Sequence, residues 1–379
     1  MRPSLSLRLG LAVLAAPALS SAGAPITVAS PLAARCRAWA ADSNNPWALA
    51  HGMALDGRAF TARDGRPAAE VVVTDYLRQS PTSGRVAGAS RPGDLFFVAF
   101  ALDGTPVEPH PALHLKTLLL AGYRMEDRFQ LPWGTLTVRQ LVMDLKGDFS
   151  APRASSPEGA WTLDALSQVM KPGETFRDGT GARVRIDTVM ETALATLEAD
   201  HAEVAAGMKA RKAQVPKRRQ GIYAHPCGGL HFFQAVAGWA RHPSVREAWK
   251  KRLDAQVEVL LYRLDSEARQ YESALAAAPE HRLPLLVQML KFYGHLLETL
   301  GRYRDDTGWR PTPAQRETVD RARTYLERTA VRLDEAGAFR GPKAPEVLVH
   351  DRQLALDLIG DTCHAARGEA LWSLGPAAR

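Results

Sequence analysis

The chain of 379 residues contains no run of about eighteen apolar residues, the length that a helix needs to span a bilayer. It has only three cysteines, too few for a disulfide framework in a chain of this length. Its formal net charge of +7 is a small excess for its size. We therefore expect no membrane span in the mature chain and no nucleic-acid partner. No complete catalytic signature is present either, so function has to be inferred from how the polar residues are arranged.

The first 24 residues have the three-part pattern of a secretory signal peptide. Two arginines precede an uncharged run at residues 9–19, and small residues follow it. This run is about eleven residues long, too short to cross a bilayer of roughly 30 Å as a helix. The pattern predicts cleavage after Ala22 or Ala24 and export to the periplasm or the medium. Residues 25–379 are expected to form a single α-helical domain.

Helical periodicity dominates the C-terminal half of the chain, whereas strand-like alternation occurs only at residues 94–108, where Asp103 and Gly104 mark a turn. The sequence therefore predicts an all-α fold, mostly helical with one small β-hairpin. Proline is expected at the first helical position after Asn45 and after His110, where its missing N–H costs nothing. The predicted helices are residues 31–41, 46–55, 67–79, 111–121, 136–146, 160–170, 186–212, 228–240, 244–278, 284–304, 313–336 and 350–368.

These helices in series favour an (α/α)6 toroid, a ring of antiparallel hairpins in which alternate helices lie inside and outside. The second helix of several hairpins is rich in small residues, as in "PWALAHGMAL" and "GGLHFFQAVAG", which suits close packing inside the ring. The helices that begin near Ser244 and Thr312 are long and charged on one face, which suits the outside. Another helical-hairpin array would show the same contrast and is the alternative. The Ser-, Pro- and Gly-rich segment 147–159 is predicted to be a surface loop.

Histidines occur in five of the six predicted inner helices, at His51, His114, His231, His295 and His364. Histidine can act as an acid, a base or a metal ligand near neutral pH. If the ring prediction holds, these side chains converge on one internal cavity. Each also has a structural interpretation, as a packed core residue or as part of a solvated helix face.

Two inner helices carry further polar residues beside their histidines. Lys291 and His295 lie on one polar stripe of the predicted helix 284–304. On the last helix, Asp361 precedes His364 by three residues, so its carboxylate is predicted to hold that imidazole in one tautomer. The sequence thus predicts a catalytic set consisting of His231, His364, Asp361, His51, His295 and Lys291.

The cysteines have two interpretations. One disulfide can form in an oxidising compartment, and Cys227 with Cys363 is the preferred pair. Alternatively, Cys227, His231, Cys363 and His364 form a tetrahedral zinc site.

The Cys-Gly pair at Cys227 and the Cys-His dipeptide at Cys363 resemble the zinc ligands of lanthionine cyclase-like proteins, which have a double ring of helices. That resemblance implies zinc ligands at Cys227, Cys363 and His364, with His231 as the catalytic histidine. The chain also resembles a set of exported, all-α bacterial proteins. This resemblance rests on the segments "NPWALAHG", "EPH", "CGGLHFFQA", "LKFYGHLLE" and "LIGDTCHAARG" taken together. This second resemblance spans most of the mature chain and implies a shared site, but it names no reaction.

Three functions remain open as hypotheses. The first is an exported hydrolase or lyase that acts on a carbohydrate or another cell-envelope polymer, with His231 as acid or base. A glycosidase of this kind needs two carboxylates about 5–10 Å apart, and Asp164 with Asp361 is the available pair. The second is a non-catalytic envelope scaffold or ligand-binding protein. The third is a zinc-binding, lanthionine cyclase-like protein. The expected ligand is a small molecule or an envelope polymer.

Overall fold

The computed structural model describes residues 30–81, 93–340 and 351–373, and these residues are mostly helical, as predicted. The predicted signal peptide at residues 1–24 lies outside them. The helices of the described residues are α1 Pro31–Ala40, α2 Pro46–Asp56, α3 Ala68–Tyr76, α4 Leu113–Leu120, α5 Val138–Gly147, α6 Ala151–Ala154, α7 Ala160–Val169, α8 Ile186–Lys209, α9 Leu230–Trp239, α10 Pro243–Ala277, α11 Arg282–Thr307, α12 Pro313–Glu335 and α13 Arg352–Ser373. Across the described ranges, none of these helices is both long enough and apolar enough to cross a membrane.

The start of α2 shows how local sequence sets a helix boundary. Asn45 lies just before the helix, and its side chain accepts a hydrogen bond from the backbone N–H of Ala48 at 2.9 Å. Pro46 occupies the first helical position, as predicted. At the start of α12, Thr312 and Gln315 form a capping box. Side-chain caps therefore fix both boundaries close to where the sequence predicts them.

The predicted start of α4 at Pro111 is wrong. The helix begins at Leu113, because Ala112 has a φ of 64° and interrupts the helical backbone. The backbone N–H of His114 donates to Oε1 of Glu108 at 3.1 Å, so a side chain from outside the helix satisfies its first turn. This arrangement leaves the imidazole of His110 outside α4.

The predicted hairpin at residues 94–108 forms only in part. Six short strands form three antiparallel pairs within the described residues: β1 Leu77–Gln79 with β2 Leu95–Phe97, β3 Arg128–Leu131 with β4 Gly134–Thr137, and β5 Thr175–Arg177 with β6 Arg183–Arg185. The partner of β2 is thus an earlier strand, with Leu77 opposite Phe97. Around the predicted turn, only a single bridge joins Phe100 and Pro106. The other two hairpins are absent from the sequence-based prediction because strands of three or four residues show no clear alternation.

Six helices close a ring around the centre of the molecule. In order around the ring, α2 packs on α4, α4 on α7, α7 on α9, α9 on α11, α11 on α13, and α13 on α2. The other long helices lie outside it: α1 packs on α13 and α2, α3 on α2, α5 on α4, α8 on α9, α10 on α9 and α11, and α12 on α11. The helices predicted as inner are the ones that form the closed ring.

Burial separates the two sets of helices. All ten residues of α9 are buried, including His231 and Gln234. In contrast, α12 buries one stripe, Val319, Ala322, Leu326, Thr329 and Leu333, at spacings of three and four. An inner helix has neighbours on all sides, so any polar group on it must find a partner inside the protein.

The predicted loop at 147–159 is a surface segment with little regular structure. It contains the single-turn helix α6 and a 3₁₀ turn at Pro157–Gly159. The carboxylate of Glu158 is exposed at the end of this segment, just before α7. The loop thereby places a charged group beside the N-terminal end of α7.

Candidate active site

A cavity of about 360 Å³ lies within the ring, and four of the five predicted histidines line it. His51 comes from α2, His231 from α9, His295 from α11 and His364 from α13. Lys291, Asp361 and Cys227 also line the cavity, as do Lys116, Trp47 and Trp161. The histidine of α4 lies elsewhere: His114 is fully buried, and its Nε2–H donates to the carbonyl oxygen of Val107 at 2.8 Å.

His231, His295 and His364 form a compact three-histidine cluster. One ring nitrogen from each residue lies within 4.8 Å of those of the other two. The ring centroids of His295 and His364 are 3.8 Å apart, and the His231 ring is 4.8 Å from His295 and 5.2 Å from His364. Three separate helices therefore bring imidazoles together at one wall of the cavity.

Side chains outside the cluster hold one nitrogen of each ring. The Nδ1–H of His364 donates to Oε2 of Glu298 at 2.5 Å. The Nε2–H of His295 is 3.4 Å from Oδ1 of Asp361, and Nδ1 of His231 is 3.4 Å from Oε1 of Gln234. The predicted Asp361–His364 pair is therefore wrong. The two residues share a face of α13, but the His364 ring turns toward the carboxylate that α11 supplies.

Close packing of α11 on α13 makes the Glu298–His364 contact feasible. A Cβ added to Gly294 would lie 2.8 Å from Cα of Ala365, and one added to Gly368 would lie 2.9 Å from the carbonyl oxygen of Gly294. Neither position has room for a side chain, so the two helix backbones approach closely there. The short separation lets Glu298 reach across to His364.

Burial favours the neutral forms of His51 and of the three clustered histidines near pH 7. Burial lowers the pKa of His51 to about 4 and that of His295 to about 3. Burial also lowers the pKa of His231 and of His364 well below the usual value, and neighbouring imidazoles and Lys116 act in the same direction. Each ring therefore keeps one nitrogen with a free lone pair.

Glu298 stays charged although it is completely buried. Burial acts to raise its pKa, but the guanidinium of Arg367, with Nη1 2.7 Å from Oε1, and neighbouring positive groups hold the pKa below its usual value. Glu298 shares a polar stripe with Lys291 and His295, and that stripe is the sequence signal that could have identified it. Its pairing with His364 could not be predicted, because the partner lies on another helix.

Lys291 and two carboxylates form the wall beside the cluster. Nζ of Lys291 donates to Oδ2 of Asp357 at 2.9 Å and lies 3.8 Å from Oδ2 of Asp361. Burial raises the pKa of Asp361 well above its usual value, although Lys291 opposes that shift. This shift of the Asp361 pKa is in the direction that a general acid requires.

Lys116 adds a cation that the sequence-based prediction misses. It is 4 % exposed, and burial lowers its pKa to about 8. Its Nζ lies 3.9 Å from Oδ2 of Asp164, whose two oxygens each accept a hydrogen bond from Arg302 at 3.0 Å. Asp164 does not line the cavity. It serves as the partner of Arg302, so Asp164 and Asp361 do not form the carboxylate pair of a glycosidase.

Both predictions for the cysteines need correction. Cys363 is bonded to Cys36, with the two Cα atoms 4.9 Å apart, and Cys227 is the free cysteine. The predicted Cys227–Cys363 pair is wrong because α1, not the start of α9, brings a cysteine to α13. A disulfide sulfur cannot bind zinc as a thiolate. The tetrahedral set with His231, and the ligands Cys227, Cys363 and His364 implied by the resemblance, are therefore not assembled.

Cys227 instead pairs with His225 at the edge of the cavity. Nδ1 of His225 lies 3.0 Å from Sγ of Cys227. Gly228 and Gly229 have φ values of 60° and 78°, a turn that leaves backbone N–H groups of Gly229 and His231 near the sulfur. Burial acts to raise the pKa of Cys227, but His225 and these N–H groups lower it to about 7.

A second group of polar side chains lies at the cavity mouth. The ring of His110 stacks on Trp161 at 3.8 Å, and its Nδ1–H donates to Oε2 of Glu158 at 3.2 Å. The ring of His225 is 4.9 Å from that of His110. Glu158 and His225 were not predicted as site residues, because each lies in an irregular segment where periodicity carries no information.

Comparisons with known proteins add no assignment to this geometry. No protein-family model, curated protein or solved structure matches the chain. The resemblances to lanthionine cyclase-like proteins and to exported all-α bacterial proteins therefore stay predictions. What the site can do has to be argued from its own contacts.

The thiol of Cys227 offers a direct test of the cavity edge. Only the thiolate reacts with alkylating reagents, and an ordinary cysteine has a pKa of about 8.5. We expect iodoacetamide to label one cysteine in the unreduced protein, with a rate that rises through about pH 7 because the pKa of Cys227 is lowered to about 7. Mass spectrometry over a pH series measures this rate. Labelling that persists in Cys227→Ser would contradict the Cys36–Cys363 disulfide, and a midpoint above pH 8 would contradict the His225 contact.

Proposed function

We propose that the protein is an exported hydrolase or lyase whose catalytic centre is the three-histidine cluster, acting on a carbohydrate or another polar group of a cell-envelope polymer. The observation that carries the proposal is the meeting of His231, His295 and His364, from three helices, at the wall of one cavity. Burying three imidazoles together brings unfavourable desolvation, and clusters of that kind are characteristic of functional sites.

The surrounding groups divide into distinct chemical roles. The cluster is the group that activates a water molecule or a substrate, and Glu298 fixes the tautomer of His364. Asp361, whose pKa burial raises, is the carboxyl group placed to donate a proton to a leaving group. Lys116 can stabilise negative charge that develops in the reaction. His51 packs beside the cluster, with its ring centroid 5.1 Å from that of His364.

The cavity lining supports a polar substrate of limited size. A volume of about 360 Å³ is at the lower end of the range for ligand sites. Trp47 and Trp161 offer aromatic surface, while Lys116, Lys291 and Asp357 offer charges of both signs. These features suit one sugar-sized unit or the end of a polymer chain.

Two features support the exported location. The N-terminal pattern predicts a signal peptide, and the Cys36–Cys363 disulfide is of a kind that persists mainly in oxidising compartments. Fractionation of producing cells, together with sequencing of the mature N-terminus, checks this part of the proposal. A full-length chain retained in the cytoplasm would contradict it.

The test of the enzyme proposal is a turnover screen against envelope polysaccharides, their fragments and envelope peptides. We expect wild-type protein to release products, and His231→Ala to lower the rate about 100-fold because one imidazole of the centre is lost. His201→Ala is the matched control. His201 is also buried, but it lies on α8, where it pairs with Gln256 away from the cavity.

The outcomes of this screen distinguish a catalytic role of the cluster from ligand binding and from a purely structural role. Equal rates in His231→Ala and wild type would remove the cluster from the mechanism. A substrate fragment that binds in the cavity and is never converted would favour the ligand-binding alternative instead. Equal losses in His231→Ala and His201→Ala would indicate damage to the fold, which circular dichroism detects independently.

A further inference from the structure

The donor atoms of the three-histidine cluster are those of a catalytic zinc site. Zinc in such sites binds three protein ligands, often three histidines, and keeps a fourth position for water or substrate. At Zn–N distances of 2.0–2.1 Å, tetrahedral geometry places the nitrogens about 3.3 Å apart. One nitrogen from each of His231, His295 and His364 already lies within 4.8 Å of the other two. Zinc binding requires the three rings to move closer together from that separation.

The outer contacts of the three rings match those of metal ligands. A histidine that binds metal usually donates its other N–H to a carboxylate or another oxygen, which fixes the ring. Glu298 accepts from Nδ1 of His364, Asp361 faces Nε2 of His295, and the amide oxygen of Gln234 faces Nδ1 of His231. All three acceptors lie on the inner helices α9, α11 and α13, so the ring of helices itself orients the imidazoles.

The remaining nitrogens are free for a metal. The contacts above leave Nε2 of His364, Nε2 of His231 and Nδ1 of His295. Among the described residues, Nδ1 of His295 is a buried nitrogen without a hydrogen-bond partner. Such an atom is unfavourable unless a ligand or a water satisfies it. The cavity supplies the open side at which a fourth ligand can bind.

We propose that His231, His295 and His364 bind one zinc ion, with its fourth position open to the cavity. Three imidazoles favour zinc over Mg²⁺ or Ca²⁺, which prefer oxygen ligands. The binding itself goes beyond the proposed enzyme. The catalytic role of the zinc, which would be to lower the pKa of a bound water to about 7, rests on the proposed function. Glu298 is a positioning residue for this site and not a ligand.

The test measures metal binding directly on the full chain. Protein is stripped with a chelator, titrated with zinc sulfate against a chromophoric competitor, dialysed and analysed for zinc. We expect one zinc per chain. Cobalt(II) in place of zinc provides a spectroscopic check, because tetrahedral nitrogen coordination gives intense visible bands that octahedral binding at a protein surface does not.

Variants assign the ligands. We expect His364→Ala and His295→Gln to lose zinc binding by at least about 100-fold, and Glu298→Gln to weaken it about 10- to 100-fold while retaining one zinc per chain at saturation. His51→Ala is the matched control, because His51 lines the same cavity with its Nδ1 already hydrogen-bonded to the carbonyl oxygen of Trp47 at 2.7 Å. It should bind zinc as wild type does. His295→Gln serves where His364→Ala fails to fold.

The failure of this inference is distinct from failure of the proposed enzyme. Wild-type protein that binds no zinc, or a folded His364→Ala variant that retains one zinc per chain, would overturn the inference. Turnover that survives complete removal of metal would also overturn its catalytic meaning and leave the enzyme proposal standing. One zinc per chain without any turnover would support the site and count against the enzyme.

Discussion

Replacing Asp164 with alanine is expected to lower the free energy of unfolding by about 4 kcal/mol. Asp164 is 2 % exposed, and its two oxygens each accept a hydrogen bond from Arg302 at 3.0 Å. The substitution leaves the guanidinium of Arg302 and the ammonium of Lys116 buried without their main counter-charge. Breaking a buried ion pair from one side is costly because the remaining charge cannot recover its hydration. Urea unfolding followed by circular dichroism measures the loss.

Asp265→Ala is the matched control for Asp164→Ala. Asp265 forms an ion pair of similar length with Arg321, at 2.9 Å, but the two side chains are 30 % and 44 % exposed. An exposed pair contributes up to about 1 kcal/mol. Equal losses in Asp164→Ala and Asp265→Ala would show that the Asp164–Arg302 pair does not hold the inner helices together. Asp164→Asn keeps the shape of the side chain and isolates the effect of its charge.

The stability that Asp164 contributes should fall as the pH is lowered. Burial acts to raise the pKa of Asp164, but Arg302 and Lys116 hold that pKa below its usual value. A carboxylate with a lowered folded-state pKa stabilises the protein above its unfolded pKa of about 4. That contribution is lost as the pH falls through the folded-state value. The difference between wild type and Asp164→Ala should therefore be complete at pH 7 and shrink below about pH 4.

The second large effect is expected from removal of the Cys36–Cys363 disulfide. The bond joins residues separated by 327 positions, so it ties the first described helix to the last. A cross-link over so long a stretch strongly restricts the unfolded chain, and we expect Cys36→Ala/Cys363→Ala to lose about 4 kcal/mol of unfolding free energy. The measurement is urea unfolding of both proteins without reductant. Peptide mapping without reduction should recover the two cysteines in one linked fragment.

Cys227→Ala controls for the loss of a buried sulfur atom. Cys227 is buried like the other two cysteines but carries no disulfide. It should therefore lose much less stability than the double variant. A double variant no less stable than Cys227→Ala would mean that the bond contributes nothing to the ring. A linked fragment that contains Cys227 would instead support the pairing that the sequence alone favours.

Local signals explain which parts of the fold the sequence predicts well. Pro46 after Asn45, and Thr312 three residues before Gln315, set helix starts through contacts within one turn. The buried stripe of α12 reports its outer position in the same local way. The start of α4 was predicted wrongly, because its cap is the side chain of Glu108, several residues upstream of the helix. Contacts within one helical turn can be predicted from residue spacing, but a cap from a residue outside that turn cannot.

The candidate site, like the fold, was predicted from the sequence only in part. The histidines of α2, α9, α11 and α13 were predicted to share a cavity from their places in alternate helices, and they do line one. The partner of each could not be predicted. Asp361 lies on the same face of α13 as His364, yet His364 pairs with Glu298, because Gly294 and Gly368 let α11 approach closely.

The helical class, the division into inner and outer helices, and four of the histidines that line the cavity could be predicted from the sequence. These follow from hydrophobic periodicity, caps and small residues, which act over a few positions of one chain segment. Three contacts depend on the tertiary fold: Cys363 with Cys36, Arg302 with Asp164, and Glu298 with His364. Each of these contacts joins residues at least 66 positions apart. Closure of the ring decides which residues meet at such separations, since it sets which helices are neighbours and how closely their backbones approach.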